Sequence, residues 1–371
     1  MPTGRRSKAA WLAPIIASLL GFAPLWAAPH LKPVGPDAIA ANTQAVPLKL
    51  GGRTIVQGSG FASGWPGVYA EARFVGASAL IGPFSGRSRW RVSIDGAGIG
   101  VLDTLVAPVF VVEGLSDEAH TLRLERIDED RFAIIQIAGV YVPPSGRTLP
   151  PAPPKLRQIE FIGDSFMPGF AMSAASFECT DQKIWEATDT SLAWPVLVAN
   201  ALDADYQINA YSGAGFVRNF VYQRAWPTMP SLYERAVPAV AGLYRRPTTW
   251  RPELMIIGLG ENDFEPPILT TDALPTVDAV RTAIVPAIAR FVQRLRRENP
   301  AARIVLLDYG HLPSRTAHEA ALAHLSPADR RQVSLLTMDR NFGLTACYSH
   351  LDPADHRLVA DRVLRWLGDR E

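Results

Sequence analysis

From about Leu48 to Tyr141, apolar and polar residues alternate in short runs broken by glycine, such as "VYAEARFVG", "RWRVSIDG", "VFVVEGL", "HTLRLERI" and "FAIIQIAGVYV". A period of two is that of half-buried antiparallel strands, and no useful helical period interrupts it. The pattern predicts a β-sandwich over residues 48–142. Residues 29–47 carry prolines and no periodicity, so a linker is expected there. The stretch "PPSGRTLPPAPPK" (143–155) has six prolines between 143 and 154. Such a segment is stiff and extended, and it is expected to separate two units.

The pattern then changes. Buried strand-like runs, "QIEFIG", "YQINAY", "ELMIIGLG", "RIVLLDYG" and "VSLLTM", alternate with helical stretches. The clearest helices are "SLAWPVLVANALDA", "VDAVRTAIVPAIARFVQRLRREN" and "DPADHRLVADRVLRWLGD". Continuous apolar strands between amphipathic helices predict a parallel sheet covered on both faces over 156–371. In such sheets ligands bind at the carboxyl ends of the strands.

Composition narrows the class. Of 371 residues 48% are hydrophobic and 20% charged, enough for real cores. Lys+Arg is 37 against Asp+Glu 36, with no dense basic block after the N-terminus, so nucleic acid and anionic membrane surfaces are poor partners. At the N-terminus Arg5, Arg6 and Lys8 precede the uncharged run "AAWLAPIIASLLGFAPLWA". This reads as a secretory signal over 1–28, with an uncleaved anchor as the alternative, and predicts a secreted or periplasmic protein. The two cysteines, Cys179 and Cys347, can pair in an oxidising compartment.

Three predicted strands end in unusual chemistry: Gly163–Asp164–Ser165, then Ser212–Gly213 in "YSGAGFVRN", then Glu261–Asn262–Asp263 in "GLGENDF". His350 stands just before the last helix, in "CYSHLDPADH". Each block alone reads as an ordinary loop, since Gly, Asp, Asn and Ser are the usual turn formers. Together they supply what acyl transfer needs: a nucleophile, a base and donors for an oxyanion. Ser165 fits the nucleophile and His350 the base, with the Ser165 and Gly213 N–H groups and the Asn262 amide as donors. No G-x-S-x-G elbow and no zinc-ligand spacing occur in the sequence.

In this order the four blocks resemble those of the SGNH/GDSL hydrolases. The chain resembles carbohydrate esterase family 2 further, in "SGAGFVRNF", "MPSLYERA", "FVGAS", "IDG" and "HTLRL". That resemblance spans roughly 50–370. It implies a jelly-roll β-domain followed by a flavodoxin-like SGNH domain. It implies a carboxylic ester hydrolase that removes O-acetyl groups from polysaccharides of the xylan or glucomannan kind, without metal or organic cofactor. The implied partner is an acetylated glycan, and the implied state is a monomer. A lipid or aryl ester substrate, or an inactive carbohydrate-binding relative, stands as the alternative.

By the same resemblance Ser165 carries the acyl group, His350 is the base, and Gly213 and Asn262 complete the oxyanion hole. Asp164 and Asp263 brace the loops, and His356 is a packing residue of the last helix. The family's acid, two or three residues before the histidine, is missing: Cys347 and Tyr348 stand there. Asp352 reads as a helix cap, which leaves a Ser–His dyad, with Glu261 the acid that another part of the site could offer. Cys179 follows the nucleophile block and Cys347 precedes the histidine, so a disulfide is expected to join the two loops.

Overall fold

The computed structural model describes residue 1 and residues 28–370, except 131, 132, 243 and 340; the predicted signal segment lies outside the described residues. Among them, no helix is long and apolar enough to cross a membrane.

The N-terminal part consists of antiparallel sheets, and alternation decides which side chains they bury. In the strand Arg89–Ile94 the side chains of Trp90, Val92 and Ile94 point inward while their neighbours stay half-exposed. That strand lies between Ala97–Asp103 and Ala119–Arg126, and the latter pairs in turn with Tyr69–Val75. A five-stranded and a four-stranded antiparallel sheet complete the unit. Their inner faces meet in a core containing Phe61, Trp65, Phe74 and Trp90.

Two expectations fail here. Residues 29–47 are no free linker: His30–Val34 pairs with Val109–Glu113, and Gln44–Ala45 with Val140–Val142. Both are edge strands with mostly exposed side chains, so burial imposes no alternation on them, and an edge tolerates Pro33. The proline-rich stretch is likewise pinned, because Arg147–Thr148 adds to the edge of Tyr69–Val75.

The C-terminal part is a five-stranded parallel sheet built from β1 (Arg157–Gly163), β2 (Ala204–Ala210), β3 (Leu254–Gly258), β4 (Arg303–Asp308) and β5 (Val333–Thr337). The strand order is β2-β1-β3-β4-β5, a common doubly wound order whose switch point lies between β1 and β3. The flanking helices are α1 (Trp194–Ala201), α2 (Glu261–Phe264), α3 (Val277–Glu298), α4 (Leu312–Ala323) and α5 (Pro353–Gly368). Helix α4 shows no strong sequence period because most of what it buries is small or polar: Ser314, Ala317, His318 and Ala321.

The two parts share buried polar contacts. Glu160, in the middle of β1 and fully buried, accepts from Arg53 of the β-domain at 3.0 Å and from Asn209 at 2.7 Å. Tyr69 donates to Asp205 at 2.7 Å, and Lys49 pairs with the same carboxylate at 2.8 Å. A charge buried without such a partner would be strongly destabilising.

Candidate active site

Three loops meet at the switch point. The first follows β1. Gly163 is required there by close approach: a Cβ would lie 2.5 Å from the Gly258 carbonyl of β3. Asp164 then accepts the Phe166 N–H at 3.2 Å, an Asx turn that sets Ser165 at its crest. Ser165 is nearly buried, and its hydroxyl lies 2.8 Å from His350 Nε2.

His350 reaches that position from the other side of the fold through a turn with unusual backbone. Tyr348 (φ 53°) and Ser349 (φ 57°) both occupy the left-handed region, which non-glycine residues rarely adopt. Several contacts hold them there. The Tyr348 N–H donates to Phe177 O at 2.7 Å, and its hydroxyl donates to Cys179 O at 2.9 Å. A disulfide joins Cys179 to Cys347, with Cα atoms 5.9 Å apart. This turn folds two carbonyls back onto the ring: His350 Nδ1 lies 2.8 Å from Cys347 O and 3.2 Å from Tyr348 O. Carbonyls only accept, so the proton sits on Nδ1, and Nε2 is left to accept from Ser165. Among the described residues no carboxylate hydrogen-bonds His350. Burial pushes the ring's pKa down to about 4, and the two carbonyls only partly offset it. At neutral pH the imidazole is therefore an uncharged acceptor.

The second loop follows β2. Of the eight backbone N–H groups from Tyr211 to Arg218, seven have partners. Tyr211 and Ala214 donate to backbone carbonyls, Ser212 to Glu129, and Gly215 to Asn219. Phe216, Val217 and Arg218 all donate to Asp263. The Gly213 N–H has no partner among the described residues, and neither does the Ser165 N–H. Gly213 has φ 82°, a conformation that suits glycine.

The third loop starts α2. Asn262 Nδ2 donates to Asp164 Oδ2 at 3.2 Å and to Ala214 O at 3.0 Å, so both amide hydrogens are engaged. Asp263 is fully buried; burial drives its pKa up to about 6, and the three N–H donors pull against that rise. Asp164 lacks such a cradle, and burial carries it to about 7, with Asp263 and Glu129 adding to the effect. Buried Arg218 ties this loop to the second one, donating to the carbonyls of Asn262, Asp263, Glu265 and Pro267.

The other sequence candidates are placed as follows. Asp352 caps α5, accepting from Ala354 and Asp355 in a capping box. His356 is buried in α5, and its Nδ1 accepts the Trp194 N–H at the start of α1. Sequence reasoning missed Glu129 and Arg218. A charged residue after a strand and an arginine in a glycine-rich loop look like solvated positions until the fold half-buries the first and buries the second.

The family described as Carbohydrate esterase 2 N-terminal matches residues 50–153. An acetylxylan esterase / glucomannan deacetylase of Cellvibrio japonicus is 29% identical over 339 residues, 90% of this chain and 93% of that protein. The chain is thus similar to carbohydrate esterase family 2 over nearly its whole length. Solved structures of the family superpose along the same length. One carbohydrate esterase is 29% identical with a TM-score of 0.79, over 88% of this chain and 99% of its own. A family 2 enzyme with a carbohydrate-binding domain, from Corynascus thermopiles (Myceliophthora fergusii), is 27% identical with a TM-score of 0.73, over 87% and 98%.

Proposed function

We propose that this protein is a family 2 carbohydrate esterase that removes O-acetyl groups from glycans, using Ser165 and His350. The reading rests on one observation above the others: the 2.8 Å contact between the Ser165 hydroxyl and a half-buried, neutral His350 whose other nitrogen carries the proton. Ser165 Oγ adds to the acetyl carbonyl carbon as His350 Nε2 takes the hydroxyl proton. The oxyanion is received by the unpartnered N–H groups of Ser165 and Gly213. Asn262 joins them by turning one hydrogen away from Asp164, an exchange made easier whenever that carboxyl is protonated. His350 returns the proton to the sugar oxygen as the C–O bond breaks. Water then adds to the acetyl-serine by the same route, releasing acetate and restoring the hydroxyl.

The substrate follows from the relatives: acetylated hemicellulose of the xylan or glucomannan kind. In this reading the N-terminal sheets form a jelly roll and the C-terminal part, from residue 156, a flavodoxin-like SGNH domain. The protein acts as a secreted or periplasmic monomer, in keeping with its disulfide. Acetate release from acetylated xylan and glucomannan tests the reading. The wild type should release it, and Ser165→Ala, folded, should lose several orders of magnitude. Retention of more than a few per cent by that variant would overturn the assignment.

A further inference from the structure

We propose that Glu129, a residue of the β-domain, is a positioning residue that holds the oxyanion-binding loop of the other domain in register. The inference rests on the reading that the Gly213 N–H receives the oxyanion.

The residues leading to Glu129 are tied down by hydrogen bonds. Fully buried Arg126 donates to Asp128 Oδ2 from Nε at 3.1 Å and from Nη2 at 2.7 Å. The other oxygen of Asp128 accepts the Arg89 N–H at 2.6 Å. Between them Ile127 donates to Arg89 O at 3.0 Å and accepts the Thr190 N–H at 3.0 Å. This clip fixes the strand end against the C-terminal domain. The next residue, Glu129, accepts the Ser212 backbone N–H at 2.6 Å with one oxygen and the Ser212 hydroxyl with the other.

Ser212 directly precedes Gly213, and the two share the peptide that carries the unpartnered N–H. Beyond that peptide, Phe220 donates to Gly213 O at 2.8 Å. Without Glu129, the side facing the nucleophile keeps the Tyr211 N–H bond to Gly163 O but loses the hold on Ser212 itself. An ionised carboxylate is an acceptor at both oxygens, so it can take an N–H and an O–H together. Its negative charge beside a forming oxyanion is unfavourable, which argues that the group is there for geometry.

Three variants test this on acetylated xylan, with phenylboronic acid inhibition as a second readout. Glu129→Ala should lower kcat about 10- to 100-fold with KM little changed, since a misplaced donor acts on the transition state. Its inhibition constant for the boronic acid should rise by a similar factor. Glu129→Gln should restore activity to within about threefold, because its carbonyl takes the Ser212 N–H while the reversible Ser212 hydroxyl accepts from its amide. Ser212→Ala, which deletes only the hydroxyl bond, should lose several-fold in kcat and serves where the alanine variant fails to fold. Wild-type kcat in both folded Glu129→Ala and Ser212→Ala, or a Gln variant as impaired as the Ala variant, would overturn the proposal. Ser165→Ala run alongside separates the cases: if it stays active, the hydrolytic reading itself fails, whatever Glu129 does.

Discussion

The ring nitrogen Nδ1 of His350 lies 2.8 Å from the carbonyl oxygen of Cys347, where a serine hydrolase would ordinarily present a carboxylate. A carbonyl can fix the tautomer, but it carries no full charge to stabilise the imidazolium that forms when the base takes a proton. The left-handed pair Tyr348–Ser349 turns the chain so that this carbonyl faces the ring.

No single carboxylate should therefore be essential as a third member. In serine proteases, replacing the orienting acid drops kcat by about 10⁴. Here Asp352→Asn and Glu261→Gln should each stay within about tenfold of wild type. Asp352 caps α5, and asparagine caps a helix as well, so that variant should also fold normally. A loss near 10⁴ in either, with folding intact, would place the acid there and sink the dyad.

Opening the disulfide should affect stability and rate together. Cys179 and Cys347 close a loop of 168 residues, worth about 5 kcal/mol in the chain-entropy description. Cys347 also supplies the carbonyl that orients His350. Urea unfolding with and without reductant should show a large fall in midpoint. At urea concentrations where the reduced protein is still folded, kcat should fall as well. An unchanged kcat would mean that the turn holds its shape without the bond.

The acidic limb of kcat/KM should lie well below the usual histidine range. Burial lowers His350 to about 4, and the base works only when neutral. As pH falls, activity should persist through 6.5 and disappear only around 4 to 5. Any stability linked to His350 follows the same sign: full above 6.5 and lost as pH drops towards 4. A limb with its midpoint at 6.5 or higher would show that the ring is not desolvated in solution.

Asp263→Ala should be among the most damaging substitutions that do not touch the reacting atoms. It strands the N–H groups of Phe216, Val217 and Arg218, each worth about 1–3 kcal/mol when buried and unpaired. Asp263→Asn keeps an acceptor and should lose much less. Equal denaturation midpoints for the two variants would refute the carboxylate's role as the loop's anchor.

Much of this was legible in the sequence because burial writes itself into periodicity. The five parallel strands and helices α1, α3 and α5 announce themselves through apolar runs. Their ends carry Ser165, Gly213, Asn262 and His350. What stayed hidden had no pattern to show. His30–Val34 is an edge strand, and α4 buries small side chains. Glu129 acts across 83 residues of intervening chain through a contact that exists only once both domains are folded. The Cys347 carbonyl is backbone, and no residue type encodes it.

The pair Arg53–Glu160 has a consequence for how the protein is made. Arg53 precedes its partner by 107 residues, so the whole β-domain is synthesised before Glu160 exists. Until then the guanidinium remains hydrated on an open face, which is harmless. The reverse situation is not. A central strand assembling without Arg53 would bury Glu160 with only the longer 3.8 Å pairing to Arg246. A catalytic domain expressed alone would keep Arg246, 3.8 Å from Glu160, but would lose the shorter bond from Arg53 that the first domain supplies.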